Sequence, residues 1–457
     1  MKRLAISLTV VVLTAVATAR ENWPRLRGAE GDGIAAKDAS VPVTWSDTQN
    51  LAWKTEMPGP GSSSPIVWGE KVFVTCWSGY GDAGGGGDMS KLVRHLTCLN
   101  LADGKIIWDK TVPAAQPEDP YQGMLTEHGY ASNTPVTDGE RVYVFFGKSG
   151  ALAFDMDGAQ LWQTDLGKGS SGKRWGSAAS PIVHKDFVVV IAADESRAIY
   201  ALDKKSGSQI WKAEADSLES SYTTPVLVNR EGGTQDLVFG VAQELWGMNP
   251  DTGRLRWYAT HNLPGNVSPG VVVGADALFV FGGFPVQGSA AFKIGGGKGD
   301  VTAANKLWSK NDSSYVPTPI LHEGRLHVIN DGGFAMCMDA KTGESIYRER
   351  VMEGGDAGGG PGGRGPGGRG PGGGGGFGGG RRGGGKPFYA SPVLVGDKLY
   401  CVSRKNGTFV LEAGPRYKKI GVNVFASDTT QFNATPAVVG KRMILRSDKA
   451  VYCVSAK

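Results

Sequence analysis

Cysteine and histidine are scarce in this sequence, and neither is spaced as a ligand set. The 457 residues include five Cys and six His, and none of the Cys forms a C-x-x-C pair. The sequence also contains no P-loop, no H-E-x-x-H pair and no G-x-S-x-G elbow. Because no motif for a zinc site, a phosphate-binding loop or a serine nucleophile is present, we predict no catalytic residue and no metal ligand.

Long apolar runs are also missing, apart from one at the N-terminus. Lys2 and Arg3 precede an apolar run over residues 4–16, which is too short for a stable membrane-spanning helix. The Ala-Thr-Ala that follows matches an A-x-A cleavage site, so residues 1–19 are predicted to be a secretory signal peptide. We therefore expect a periplasmic or secreted protein without a transmembrane segment. No Cys lies near the cleavage site, which argues against a lipid anchor there.

A strong excess of either charge is absent as well. The chain carries 49 Lys and Arg against 44 Asp and Glu, which gives a net charge of +5. Part of this excess lies in residues 354–386, which are mostly Gly with scattered Arg and Pro and are predicted to form a disordered insertion. The segment resembles RNA-binding Arg-Gly tracts, but in an exported protein we favour a flexible, solvated loop. We predict no nucleic-acid partner.

What the sequence does contain is a repeated unit that begins with Ser or Thr, then Pro, then apolar residues. Eight copies occur, with spacings of 70, 46, 44, 44, 50, 73 and 44 residues. The copies begin at Ser64, Thr134, Ser180, Thr224, Ser268, Thr318, Ser391 and Thr435. A period near 44 residues is typical of a propeller blade made of four antiparallel strands.

The copy at residues 180–214 contains four short apolar strands, the last centred on Trp211. In the turn between the third and fourth strands, Asp203 can accept hydrogen bonds from the local backbone and Gly207 can adopt a positive φ. The other copies carry Trp108, Trp162, Trp257, Trp308 and Tyr347 at the Trp211 position, and Tyr417 is the candidate in the seventh copy. We expect each ring to fill the gap to the neighbouring blade. Three copies replace the small residue Ala201 by Cys, and these Cys are predicted to be buried core residues.

Together these patterns predict an all-β fold, an eight-bladed β-propeller of four-stranded antiparallel blades over residues 50–457. Residues 20–49 are predicted to form an irregular segment packed over the propeller. The eighth copy ends after three strands, whereas a matching fourth strand around Trp53 has no first three before it. We therefore predict that this N-terminal strand completes the last blade and closes the ring.

Two sets of loops in a propeller meet at one mouth of the central channel: those that enter the first strand of each blade, and those between second and third strands. We predict that this mouth binds a small ligand or a peptide, because polar and aromatic side chains converge there. The candidate binding residues are Glu127, His128, Tyr130, Arg174, Trp175, Asp194, Glu195, Tyr222, His261, Tyr315, Tyr389 and Asn433. The alternative is a hydrated funnel without a specific ligand.

The repeat pattern resembles the pyrroloquinoline quinone (PQQ)-like β-propeller repeat, most specifically from Asp203 to Trp211. One branch of that family contains quinoprotein alcohol and glucose dehydrogenases, which hold PQQ and Ca²⁺ in the funnel. The other branch is the outer-membrane β-barrel assembly lipoprotein, a non-catalytic scaffold. The opening residues from Trp23 to Gly28 are similar to exported planctomycete-type PQQ-like repeat proteins. Neither the adjacent Cys pair of the dehydrogenases nor the N-terminal Cys of the lipoprotein has a counterpart here.

The resemblance implies an exported, non-catalytic scaffold that binds an envelope protein or peptide at the funnel face, as a monomer and without a cofactor. The alternative that it implies is a PQQ-dependent quinoprotein dehydrogenase of alcohols or sugars, with PQQ and Ca²⁺ in the funnel. For that alternative, Asp194, Glu195 and Glu127 are the candidate carboxylates, and Trp175 is the candidate stacking surface.

Overall fold

The computed structural model of the chain describes residues 21–82, 85–219, 221–230, 232–295, 297–352 and 386–456. The predicted signal peptide at residues 1–19 and almost all of the predicted insertion at residues 354–386 lie outside the described residues. Strands make up most of the regular structure. The α-helices among the described residues are one turn long and are α1 (Leu125–His128), α2 (Ala193–Ser196) and α3 (Thr302–Asn305). Within the described ranges, none of the helices is long and apolar enough to cross a membrane.

In the described part of the chain the strands form eight sheets, each built on four antiparallel strands, which confirms the predicted eight-bladed propeller. The first strand in the chain is β1 (Leu51–Glu56). Blade 1 comprises β2 (Ile66–Trp68), β3 (Lys71–Ser78), β4 (Val93–Asn100) and β5 (Ile106–Pro113), and blade 2 comprises β6 (Val136–Thr137), β7 (Arg141–Phe145), β8 (Ala151–Asp155) and β9 (Gln160–Thr164). Blade 3 comprises β10 (Ile182–His184), β11 (Phe187–Ala192), β12 (Ala198–Asp203) and β13 (Gln209–Glu214). Blade 4 comprises β14 (Val226–Asn229), β15 (Gln235–Val241), β16 (Glu244–Met248) and β17 (Leu255–Thr260).

The second half of the ring follows the same plan. Blade 5 comprises β18 (Val272–Val273), β19 (Ala277–Gly282), β20 (Gly288–Lys293) and β22 (Lys306–Lys310), with β21 (Gly299–Asp300) lying between β20 and β22 in the chain. Blade 6 comprises β23 (Ile320–His322), β24 (Arg325–Ile329), β25 (Phe334–Asp339) and β26 (Ser345–Arg350), and blade 7 comprises β27 (Val393–Val395), β28 (Lys398–Val402), β29 (Thr408–Glu412) and β30 (Lys419–Asn423). Blade 8 contains β31 (Ala437–Val439), β32 (Arg442–Arg446) and β33 (Ala450–Ser455). The short β21 pairs in parallel with β17 and so belongs to the sheet of blade 4.

The N-terminal strand β1 closes the ring, as predicted. It pairs antiparallel with β33, and Trp53 stands opposite Cys453. The last blade is therefore built from both ends of the described chain. The same pairing of an aromatic ring with a small residue recurs in other blades, for example Trp211 opposite Ala201. The buried Cys thus occupy the core position predicted for them.

Five of the eight blades dock on the next through the Trp of the outer strand. The Trp211 indole N–H donates to the Pro250 carbonyl of the following blade at 2.9 Å, and Trp162 donates to Lys204 at 3.1 Å. The same bond is made by Trp53, Trp108 and Trp308. The turn glycine that receives the ring has a positive φ (+72° at Gly207), and a Cβ there would lie 2.6 Å from the Trp162 ring. A side chain at this position would meet both strain and a clash.

Three blades depart from this pattern, and blade 6 carries Tyr347 in place of the Trp. In blade 4 the Trp257 indole donates to Asp236 of its own blade at 2.7 Å instead of to the next turn. In blade 7 we assigned the aromatic position to Tyr417, and this was wrong, since Gly421 stands at the equivalent place opposite Val410. Tyr417 precedes the strand and packs edge-on against Tyr347 of blade 6, with 5.9 Å between ring centroids. Blades 6 and 7 therefore still contact each other through aromatic rings, but the ring of blade 7 comes from Tyr417 and not from the position of Gly421.

Every outer strand carries a β-bulge at the residue just before the Trp position, as at Ile210 between the pairs Ala201–Trp211 and Leu202–Gln209. Equivalent register shifts occur in all the other blades. The bulged residue is often apolar and exposed, as are Ile210 (47%) and Leu161 (45%). A bulge interrupts the row of free backbone groups on an edge strand and so hinders pairing with a second sheet.

The segment before β1 crosses the end of the channel opposite the predicted mouth. Its backbone bonds to innermost strands of several blades: the Trp23 amide donates to Val67, the Thr137 amide donates to Pro24, and the Leu394 amide donates to Gly33, each at 2.9 Å. These contacts hold the segment across the ring, from blade 1 to blade 7. It forms the floor of the channel.

Candidate functional site

The Ser and Thr that begin each repeat line the channel and bond to one another. The Ser64 amide donates to the Thr134 hydroxyl at 3.0 Å, and the Thr134 amide donates to the Ser180 hydroxyl at 2.9 Å. The last blade joins the first in the same way, since the Thr435 amide donates to Ser64 at 3.0 Å. Further bonds of this kind link Ser180 to Thr224, Thr318 to Ser391 and Ser391 to Thr435. The repeat signature thus builds a hydroxyl-lined wall.

A cavity of about 200 Å³ lies inside this wall, and we call it the central cavity. Arg25, Leu26 and Arg27 form its floor. The Arg27 guanidinium donates to the carbonyl oxygens of Thr318 and Pro319, both at 2.8 Å. Burial lowers the pKa of Arg27 to about 10, so the side chain remains charged at neutral pH. Its charge is directed at carbonyls of the wall, which leaves little of it for a ligand.

Six of the predicted site residues meet at the mouth of the central cavity. They are His128, Trp175, Tyr222, Tyr315, Tyr389 and Asn433. Trp175 and Tyr222 stack with 6.2 Å between centroids, and the Asn266 amide donates to the Tyr315 hydroxyl at 2.7 Å. Apolar ring surface and fixed polar groups therefore alternate around one opening, which suits a ligand that has both kinds of surface.

Cations lie over several of these rings. The Lys173 ammonium is 4.7 Å from the centre of Trp175, and the Arg404 guanidinium is 4.3 Å from Tyr389. Arg404 is also ion-paired with Glu127 at 2.6 Å, so this predicted site residue belongs to the rim. One face of each of these two rings thus lies against a cation of the chain itself.

His128 is not poised as a general base. Its Nδ1 hydrogen-bonds the Ser132 hydroxyl at 2.5 Å, and desolvation lowers its pKa to about 4. The ring is therefore neutral at physiological pH. His261 is likewise neutral at physiological pH, since burial lowers its pKa to about 4, and it does not line the central cavity. Arg174 is exposed on its loop, with φ of +53°, and also does not line the central cavity.

The remaining three predicted residues, Tyr130, Asp194 and Glu195, line a second and smaller cavity beside the channel, which we call the side cavity. Its volume is about 30 Å³, and α1, α2 and the loops over blades 1 to 3 surround it. Its charged lining residues are each at most 7% exposed and are Arg94, Glu118, Asp119, Lys148, Asp194 and Glu195.

Only half of the carboxylates in the side cavity have a basic partner. Arg94 lies 2.8 Å from Glu118, and Lys148 lies 3.3 Å from Asp119. Asp194 accepts a hydrogen bond from Ser171 at 2.8 Å, and Glu195 accepts one from Ser177 at 2.5 Å. Among the described residues, neither of the last two carboxylates makes an ion pair.

Desolvation is the main reason that the pKa of Asp194 is raised to about 6 and that of Glu195 to about 7, and nearby carboxylates add to both shifts. Both groups therefore change protonation near neutral pH. Across the described ranges, no cluster of three or more His, Cys, Asp or Glu side chains is arranged to hold a metal ion. The chemistry available here is proton uptake and hydrogen bonding to a cationic group.

Sequence reasoning missed the channel floor and the two other acids of the side cavity, Glu118 and Asp119. Arg27 is 291 residues from Thr318, and nothing in the local pattern around either residue predicts their bond. Glu118 and Asp119 lie in the long connection out of blade 1, whose length was the one available signal. The hydroxyls of the repeat signature were recognised as strand starts, but not as the wall of the cavity.

Comparison with known proteins gives a consistent family. A family model described as outer membrane protein assembly factor BamB matches residues 93–349. A protein of that description from Xanthomonas campestris pv. campestris is 30% identical over 124 residues, which is 27% of each chain. Another, from Alkalilimnicola ehrlichii, is 28% identical over 170 residues, 37% of this chain and 36% of that protein. The chain matches little more than a third of these curated relatives' length.

Solved structures share the architecture over nearly the whole chain. BamB from Moraxella catarrhalis has a TM-score of 0.57 at 13% identity and covers 89% of this chain and 97% of its own. A europium-containing methanol dehydrogenase has a TM-score of 0.58 at 10% identity, with 96% and 92% covered. At these identities the likeness shows the fold alone, and the site has to decide between the two activities.

Proposed function

The chain belongs to the family of the outer membrane protein assembly factor BamB, and on that premise we propose that it is a non-catalytic scaffold of the cell envelope. In this role it binds a polypeptide at the mouth of the central cavity and assists the assembly of outer membrane proteins. The predicted signal peptide at residues 1–19 is consistent with a periplasmic or secreted location.

One observation carries the proposal: the mouth combines aromatic rings with fixed hydrogen-bonding groups. Trp175, Tyr222, Tyr315 and Tyr389 present ring surface, and Asn433 donates to the Glu127 carbonyl at 2.9 Å. Rings bind side chains of many shapes, whereas amides and hydroxyls orient a peptide backbone. This combination favours an extended polypeptide over a single small substrate.

The residues present do not fit PQQ with Ca²⁺. Of the candidate carboxylates, Glu127 is ion-paired with Arg404 at the rim, while Asp194 and Glu195 face the side cavity instead of the central one. The Cys are buried as free thiols within the blades. We therefore propose that the scaffold works without PQQ or Ca²⁺.

Site-specific photocrosslinking tests the proposal in living cells. A photoreactive phenylalanine derivative in place of Trp175 is expected to crosslink polypeptides, because it lies at the mouth. The matched control carries the same group at Asp103, which lies in a turn on the opposite face and is exposed. Cells that lack the gene for this protein are expected to contain smaller amounts of folded outer membrane proteins.

Two results would overturn the proposal. One is an equal pattern of crosslinked polypeptides from positions 175 and 103. The other is saturable binding of PQQ in the presence of Ca²⁺, together with dye-linked oxidation of an alcohol or sugar. The second result would establish the dehydrogenase alternative.

A further inference from the structure

The side cavity contains two carboxylates that no cation in the described part of the chain neutralises. Asp194 and Glu195 are each 5% exposed, and their hydrogen-bond donors are the neutral hydroxyls of Ser171 and Ser177. The two neighbouring carboxylates, by contrast, have Arg94 and Lys148 beside them. Burying a charge without a partner is unfavourable, so a pair left in this state indicates either bound protons or a missing cation.

A second observation points to a missing cation. The Oδ1 atom of Asp194 is buried, has no hydrogen-bond partner, and belongs to a side chain that lines the cavity. The Gly176 amide lies near the same carboxylate and also favours its charged form. Buried polar atoms are nearly always paired in folded proteins, so this oxygen is the natural acceptor for a donor that enters the cavity.

We propose that Asp194 and Glu195 bind the ammonium group of a lysine side chain presented by the polypeptide partner. This inference rests on the proposed function, since it states what the bound polypeptide contributes. A cavity of about 30 Å³ has room for one ammonium group, whereas a guanidinium is too large for it. Leu125 and Tyr130 line the same cavity and supply apolar surface for the methylene stem of the lysine.

The charge balance around the pair agrees with this ligand. The charged side chains that face it from the surrounding elements are Arg94, Glu118, Asp119, Lys148 and Glu219. With all carboxylates ionised, the lining of the side cavity has four negative and two positive groups, Arg94 and Lys148. One ammonium would leave a single net negative charge, and three of its N–H groups could reach carboxylate oxygens.

Titration of the mature chain with N-acetyl-lysine methylamide tests the assignment, with the Nε-acetylated compound as the neutral control probe. We expect saturable binding of the charged probe at pH 8 by calorimetry. The affinity should fall about tenfold between pH 8 and pH 6, because protons occupy the carboxylates as the pH falls through about 7. The neutral probe should not bind.

Two variants locate the site. Replacing both acids by neutral isosteres, Asp194→Asn with Glu195→Gln, is expected to lower the affinity by at least about tenfold. Asp216→Asn is the control, because this carboxylate lies in the loop that follows β13 and its side chain is 95% exposed. An infrared measurement on the native chain complements the variants: the protonated-carboxyl band at pH 6 should weaken when the charged probe is added.

Equal binding of the two probes, or unchanged affinity in the Asn/Gln variant, would overturn the assignment. So would a native protein that shows the protonated-carboxyl band but does not bind the charged probe, since the pair would then hold protons only. If the probe fails to bind while position 175 still crosslinks polypeptides, this inference fails and the proposed function stands. If the probe binds but position 175 gives no crosslinks, the lysine site stands and the proposed function fails.

Discussion

The central cavity and the side cavity lie toward the same face of the propeller, but they are built in opposite ways. The wall of the central cavity is made by the repeat itself, and its hydroxyls are bonded to neighbouring blades, as Thr134 is to Ser64. The side cavity is made by irregular loops over blades 1 to 3, and its Asp194 and Glu195 lack cationic partners. The repeat therefore supplies a stable, neutral channel, and the departures from it supply unbalanced charge.

The largest expected effect concerns the floor of the central cavity. Arg27→Ala removes charge-assisted hydrogen bonds to Thr318 and Pro319 and leaves buried carbonyls without donors. We expect the free energy of unfolding to fall by about 3 kcal/mol, as measured by urea denaturation. Arg174→Ala, at an exposed position, should change it little. Equal losses in the two variants would contradict the role given to Arg27.

The next effect concerns the side cavity and depends on pH. Asp194 and Glu195 have raised pKa values of about 6 and about 7, so the folded chain holds protons that the unfolded chain releases. The stability that these groups contribute is present below about pH 4 and is lost as the pH rises through about 7. The Asn/Gln double variant should therefore be more stable than the native chain at pH 8, by about 2 kcal/mol. A variant that is less stable at pH 8 would contradict this reasoning.

The smallest effect concerns the hydroxyl wall. Thr134→Val keeps the shape of the side chain but removes the acceptor for the buried Ser64 amide. We expect a loss of about 1–2 kcal/mol in the free energy of unfolding, since an unpaired buried amide remains. Thr126→Val is the matched control, because Thr126 is exposed. If both substitutions have the same effect, the bonds between blades do not contribute as proposed.

Much of the fold could be predicted from the sequence, because blades are local. Four strands, a turn with Gly207 and a Trp at position 211 all lie within one stretch of 35 residues, from 180 to 214. The closure by Trp53 could also be predicted, since one incomplete unit at each end implies one complete blade. The assignment of Tyr417 failed because blade 7 keeps the ring contact but changes its position in the chain.

The candidate site was predicted less completely. Topology places loop residues at one face, and six of the predicted residues line the central cavity. It does not say how far each loop reaches, and for that reason Asp194 and Glu195 were expected in the funnel although they line the side cavity. Arg174 and His261 entered the set on loop position alone and line neither cavity.

By itself, the sequence determined the number of blades, the closure of the ring and the Trp–Gly contacts between blades. These features depend on residue type and spacing within short stretches of chain. Only the tertiary structure decided that Arg27 closes the channel, and that two of four carboxylates in the side cavity lack a basic partner. Those features depend on distances between residues on separate loops, and side-chain reach in three dimensions cannot be read from spacing along the chain.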